Sequence, residues 1–216
     1  MSAGRDDSYP AKGTLRAAVG AHLQMGYCPE MSQEKATTVQ GVRLPPAREA
    51  GLGRTMDERI LVRFPALVPG LGAARMWLPR HSRLRRAMLV RLVRQGYAAA
   101  NRRDFDLAVK GYDPDYEYYP EQVALPDSDA VYYGHDGFYK FWRQVLESFD
   151  DVRLDPEEML DLGDRLLVTT QMSGHGTGSG VSVKQQIFQL MTFRRGLIVR
   201  QDDFQDRAQA AEAAGL

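Results

Sequence analysis

Asp203 has the sequence setting best suited to acid–base chemistry in this 216-residue chain. It stands in the last of three runs between Asp164 and Phe204 that are dense in Thr, Val, Ile and Phe: DRLLVTTQMSG, GVSVKQQIFQLMTFR and GLIVRQDDFQ. Gly-bearing breaks separate them, SGHGTGSG at 173–180 and Arg195-Gly196, so they read as three neighbouring strands. A two-residue turn at Arg195-Gly196 pairs Thr192 with Val199, Leu190 with Gln201 and Phe188 with Asp203, all on one face. The other face carries Phe193, Met191 and Gln189 with Ile198, Arg200 and Asp202. The first face sets one carboxylate and one amide among apolar side chains. Removal from water raises a carboxyl pKa and suits it to act as an acid or base. A slip of one residue in register would exchange the two faces.

The other chemistry-bearing residues exclude more than they supply. Four histidines, His22, His81, His135 and His175, form no HxH or HxxxH pair, so no metal site is expected. His135, in GHDG, suits a hydrogen bond at a helix start, and His175 a solvent-facing loop. Gly174, Gly176, Gly178 and Gly180 alternate, which is not GxGxxG, and they open a strand instead of a helix. That spacing and context exclude a dinucleotide site. There is no GxSxG and no Ser/His/Asp arrangement, and no cofactor is expected.

The elements that must position Asp203 lie upstream. Ser82 suits a helix N-cap, and Arg83 to Arg103 reads as a long amphipathic helix. Leu84, Met88, Leu89, Leu92, Val93, Gly96, Tyr97 and Ala100 recur at helical spacing, with Arg85, Arg86, Arg91, Arg94 and Arg102 filling the remainder. A short helix follows from Asp104 and ends by Pro114. DYEYYP (115–120) and AVYYG (130–134) read as partner strands. Asp136 to Phe149 is a third helix with the stripe Phe138, Phe141, Trp142 and Val145. VRLDPEEMLDL (152–162) is a strand bulged at Pro156, and QDRAQAAEAAGL closes the chain as a helix. Helices segregated to one side of a mostly antiparallel sheet make the fold class α+β.

Residues 1–55 carry linker composition, with Ser, Thr, Gln, Gly and Pro dominant from Ser32 to Thr55, and read as a disordered extension. Organised sequence begins at Met56. Residues 56–81 form an Arg-rich helical extension cut by Pro65 and Pro69, and 82–216 form the domain.

Several short motifs stand in a characteristic order: NRRDFD, YDPDYEYYP, YYGHDGFYKFW, LGDRLLV and FRRGLIVRQDDFQDRAQAAEAAGL. On these, Leu84 to Leu216 resembles the SnoaL-like branch of the nuclear transport factor 2-like superfamily. The resemblance implies a cone, a curved sheet around a pocket with helices closing the concave side, and commonly a homodimer. It also implies that the carboxylate at Asp203 points into the pocket. Tyr97, one turn before the end of the long helix, resembles the oxyanion-hole tyrosine of ketosteroid isomerases, which would make it a hydrogen-bond donor to a developing oxyanion. Where that family carries a catalytic aspartate before a proline, this chain has Tyr119-Pro120, which counts against steroid isomerisation. The pocket would be lined by Tyr97, Tyr116, Trp142, Phe188, Gln201 and Asp203. Its ligand would be a small apolar molecule with a carbonyl or hydroxyl, open to polyketide cyclase-like or isomerase-like acid–base chemistry.

Net charge is zero, so no overall attraction to nucleic acid follows. The distribution is uneven: from Arg59 to Arg103 there are eleven Arg, no Lys and no acidic residue. That segment reads either as a helical layer whose Arg are solvated or paired to the acidic C-terminal half, or as a surface that touches a partner protein or anionic lipid through Phe64 and Trp77. The single Cys28, the lack of a bilayer-length apolar run and a start without a signal-peptide core make the expected location cytoplasmic. A homodimer is expected through the face bearing Ile187, Met191, Phe193 and Ile198.

Overall fold

A computed structural model of the protein describes residues 41–44, 54–64, 67–120 and 128–216, all within the unit Thr37–Leu216. In chain order the elements are β1 (Val42–Arg43), α1 (Met56–Arg63), α2 (Leu67–Trp77), α3 (Arg83–Asn101) and α4 (Phe105–Ala108). A 3-10 turn (Val109–Gly111) leads into β2 (Tyr112–Tyr119), and β3 (Tyr132–Tyr133), α5 (Gly134–Ser148) and β4 (Phe149–Asp161) follow. The chain ends with β5 (Arg165–Gly176), β6 (Ser182–Arg194), β7 (Leu197–Phe204) and α6 (Arg207–Ala214). One seven-stranded sheet in the order β1-β4-β5-β6-β7-β2-β3 is antiparallel throughout except where β2 runs parallel to β7. The fold class is α+β, a curved, unclosed sheet with α3 and α5 packed on its inner face.

Two apolar clusters build that interior. Leu89, Val93 and Tyr97 of α3 pack on Met159, Leu166, Val168, Met191, Phe193 and Ile198 of the sheet. Phe138, Trp142 and Val145 of α5 pack on Tyr116, Tyr118 and Tyr132. Leu89, Val93, Tyr97 and Ala100 of α3 are buried along one stripe, as the helical period requires, with Ala99 buried at its flank. The stripe is continued toward the N-terminus by Arg85, not by Leu84, which is exposed. Arg85 is only 2% exposed because it meets Asp161 with two hydrogen bonds of 2.6 and 2.8 Å and also donates to the carbonyls of Leu78 and Gly163. Pro69 does not break α2, since it occupies the helix's first turn, where no N–H is needed.

The face chosen for a homodimer is not available for one. Ile187, Met191, Phe193 and Ile198 are all buried in the interior. On the opposite face of β5, Arg165 donates to the carbonyls of Ala213 and Ala214, which places α6 over the outer side of the sheet.

Part of the stretch through residue 55 is built into the domain. Val42 and Arg43 pair with Met159 and Glu158, and Leu44 is buried in the α3 cluster. Arg54 makes a twofold hydrogen-bonded ion pair with Asp104 at 2.6 Å, and Thr55 caps α1 in a reciprocal box with Glu58. The rest of residues 1–55 lie outside the described residues. A chain starting at Met56 would therefore lose about 2–3 kcal/mol, mainly Leu44 burial and the helix cap. Its thermal midpoint should fall by several degrees in a calorimetric comparison with the full chain.

Candidate functional site

β7 carries the carboxylate, and a bulge decides which way it points. Beyond the Arg195-Gly196 turn the ladder pairs Phe193 with Ile198, then Thr192 with Arg200, so Val199 has no opposite residue. This extra residue shifts every later pairing by one. Asp203 lies opposite Gln189, not Phe188, and Gln201 opposite Met191, not Leu190. Ile198, Gln201 and Asp203 then share the inner face with Ile187, Gln189 and Met191. Phe188 is buried but does not line the cavity; it belongs to the outer face of β6 and is corrected as a ligand contact on that ground.

These residues form the polar end of a cavity of about 130 Å³. Asp203, 7% exposed, accepts from Tyr118 Oη at 2.7 Å, from Gln201 Nε2 at 2.9 Å and from Gln189 Nε2 at 3.1 and 3.2 Å. Gln189 in turn accepts from the Tyr97 hydroxyl and from Thr170 Oγ1 at 3.2 Å, while Tyr112 donates to Gln201 at 3.1 Å. Burial pushes the Asp203 carboxyl up to about 6, against the opposing pull of its three donors. Burial likewise holds the phenols of Tyr97, Tyr112, Tyr116 and Tyr118 above the ordinary tyrosine value, so all four are hydroxyls at neutral pH.

Apolar side chains make up the rest of the wall: Val93 and Ala100 from α3, Phe138, Phe141 and Trp142 from α5, and Leu166 and Met172 from β5. Gly96 also borders the cavity yet is exposed, and a Cβ there would meet no atom within 4 Å outside its own helix turns. It falls within the inward stripe of α3 and leaves free space on that side of the cavity.

Five of the six residues expected to line a pocket, Tyr97, Tyr116, Trp142, Gln201 and Asp203, stand around this one cavity. Three of them differ in their polar contacts. Asp203 and Gln201 are held within the network, whereas the Tyr116 hydroxyl, on a side chain 1% exposed, makes no hydrogen bond among the described residues. Gln189, Tyr118, Tyr112 and Thr170 complete the site without having been anticipated. Tyr118 was legible, because it shares a strand face with Tyr116 two residues earlier. Gln189 was also signalled, as an amide in the middle of the apolar run IFQLM. Tyr119 lies outside the cavity, with its hydroxyl on Glu117 at 2.8 Å and the Arg200 guanidinium 4.0 Å from its ring centroid.

His135 bonds the Tyr112 carbonyl at 3.1 Å from the start of α5, a structural contact beside β2. His81 and His175 are exposed, and His22 lies outside the described residues. Among the described residues no three His, Cys, Asp or Glu side chains converge as metal ligands.

The model of the SnoaL-like domain family matches residues 93–201, half of the chain, from within α3 to within β7, and ends two residues before Asp203. The chain belongs to the SnoaL-like family. A solved structure agrees in fold. TerC, crystallised with polyporic acid, is 23% identical, with 59% of this chain and 98% of that chain covered at a TM-score of 0.50. A nuclear transport factor 2-like protein of unknown function from Burkholderia pseudomallei is 24% identical over 58% of this chain and 96% of its own, with a TM-score of 0.48. A protein with a ketosteroid isomerase-like fold from Catenulispora acidiphila is 15% identical over 58% and 92%, with a TM-score of 0.48. No protein of curated function matches the sequence. In a SnoaL-like chain the fold supplies a cone and a pocket, and the reaction has to be sought in the side chains.

Proposed function

We propose that this SnoaL-like protein binds a small apolar molecule bearing one carbonyl or hydroxyl oxygen, and that Tyr116 and Asp203 recognise that oxygen. Tyr116 carries the proposal. A buried phenol without a partner costs about 1–3 kcal/mol, and a ligand acceptor at the cavity's polar end would remove that cost. The ligand's size follows from the volume. An apolar cavity of about 150 Å³ holds benzene, so about 130 Å³ admits about one ring. Asp203, with its carboxyl near 6, is the group that would move a proton if the bound molecule reacts, as in cyclisation or isomerisation. Tyr97 would act at one remove, by fixing the orientation of Gln189.

Thermal shift with cyclohexenone, cyclohexanol and phenol tests this, because a bound ligand raises the midpoint by mass action. A saturable rise is expected with the native protein. Tyr116→Phe should weaken it about 2- to 10-fold in concentration, the range of one net hydrogen bond. The same variant without ligand should melt no lower than the native chain, since it removes an unsatisfied hydroxyl. A drop of several degrees would reveal a structural partner for Tyr116 and end this assignment.

A further inference from the structure

α1 lies on the solvent side of α3, and the contacts between them sort its side chains. Asp57 bonds Arg91 and Gln95, and Glu58 bonds Arg102, so both acidic residues of α1 turn toward α3. What faces outward is Met56, Ile60 and Phe64, one helical turn apart and each about half or more exposed, with Arg59 and Arg63 between them. Leu84 continues the surface. At about 100° per residue it falls within about 20° of the stripe of α3 that carries Arg91, Gln95 and Arg102. Trp77, at the end of α2, is 89% exposed. Arg59, Arg63, Arg83 and Arg86 are exposed and form no ion pair among the described residues.

We propose that this outer helical face docks on an anionic lipid bilayer, with Met56, Ile60, Phe64, Leu84 and Trp77 entering the interface and the arginines meeting the headgroups. Large apolar side chains interleaved with arginine, and with the acids withdrawn, match an interfacial helix more closely than a face made for water. Charge names the occupant. Residues 54–103 hold twelve Arg against two acidic residues, whereas residues 104–216 hold ten basic against twenty-one acidic residues. A negative surface attracts the helical side of such a molecule and repels the other, which fixes the orientation of docking. Arginine alone would serve any polyanion; five exposed apolar side chains among them serve a lipid interface.

Co-sedimentation of the full chain with vesicles tests the proposal. Binding is expected to phosphatidylcholine vesicles containing about one third phosphatidylglycerol, to be weak on phosphatidylcholine alone, and to fall as salt rises. Phe64→Asp should reduce binding at least about tenfold while the thermal midpoint stays within a few degrees, since Phe64 is exposed. Trp142→Phe leaves Trp77 as the only tryptophan, and its emission should shift to the blue on anionic vesicles. Should that variant fold poorly, the sedimentation assay still decides. The proposal is overturned by no binding to anionic vesicles at low salt, or by binding that Phe64→Asp leaves unchanged. A self-association that Phe64→Asp abolishes, without lipid binding, would assign the face to a second copy of the chain instead. None of these outcomes depends on what the cavity holds.

Discussion

Asp203→Asn should be less stable than the native protein near pH 4 and more stable at pH 7. Unfolded, the carboxyl titrates at 3.8; folded, at about 6. Between those values the native state keeps a proton that the unfolded state has lost. The stability linked to Asp203 is therefore complete below about pH 4 and is lost as pH rises through about 6. Two pKa steps correspond to about 3 kcal/mol. Asparagine abolishes this loss but leaves Tyr118 without a carboxylate acceptor, at a cost of about 1 kcal/mol. The two stability curves should cross between pH 4 and 6, with the variant ahead by about 2 kcal/mol at neutrality. Asp57, held down to about 2 by Thr55 and Arg91, has the opposite sign and acts only below about pH 4, outside this window. Denaturation across pH measures the crossing, and NMR titration of the Asp203 carboxyl measures its cause. A midpoint below about 4 would remove the carboxyl from the list of proton-transfer groups.

A larger loss, about 3–5 kcal/mol, is expected from Asp161→Ala. The substitution removes both carboxylate oxygens from the Arg85 guanidinium, whose side chain is 3% exposed, and the carbonyls of Leu78 and Gly163 that also accept from it carry no charge to replace them. For a chain of this size the midpoint should fall by roughly 6–20 °C. An ordinary surface ion pair would cost at most about 1 kcal/mol, so the two accounts are well separated. Adding Arg85→Met should recover much of the loss, because the expense lies in a buried charge deprived of its Asp161 carboxylate, not in the absence of attraction. Failure of the double variant to recover would mean that Arg85 holds the start of α3 chiefly through its other bonds, those to Leu78 and Gly163 among them.

The elements were legible because their signals are long: β5, β6 and β7 are dense in Thr, Val, Ile and Phe between Gly-bearing breaks, and α3 and α5 each carry an aromatic or aliphatic stripe. The inward side of Asp203 was legible through the family resemblance, whereas pairing strands around Arg195-Gly196 left the two faces open and gave the wrong partners. A single unpaired Val199 transfers Phe188 and Leu190 to the outside and brings in Gln189 and Met191, and nothing in GLIVRQ announces the bulge. Arg85 was hidden for a different reason. An arginine beside an apolar stripe reads as surface until its partner is known, and Asp161 is 76 residues away. β1 is only two residues long, too short for any alternation to register, so Val42–Leu44 passed as linker.

Gly96 sits where alanine would make a better helix by about 1 kcal/mol, and no neighbouring atom forbids a side chain there. α3 thus has a removable brick. The room inside the cavity and the integrity of the fold are governed at this position by separate forces, because a Cβ there meets no packed neighbour. Natural variation or laboratory selection could narrow or reshape the cavity from this side while Asp203, Gln189 and Tyr118 keep their places. A lineage built on this scaffold could change which molecules it admits well before it changes what it does with them.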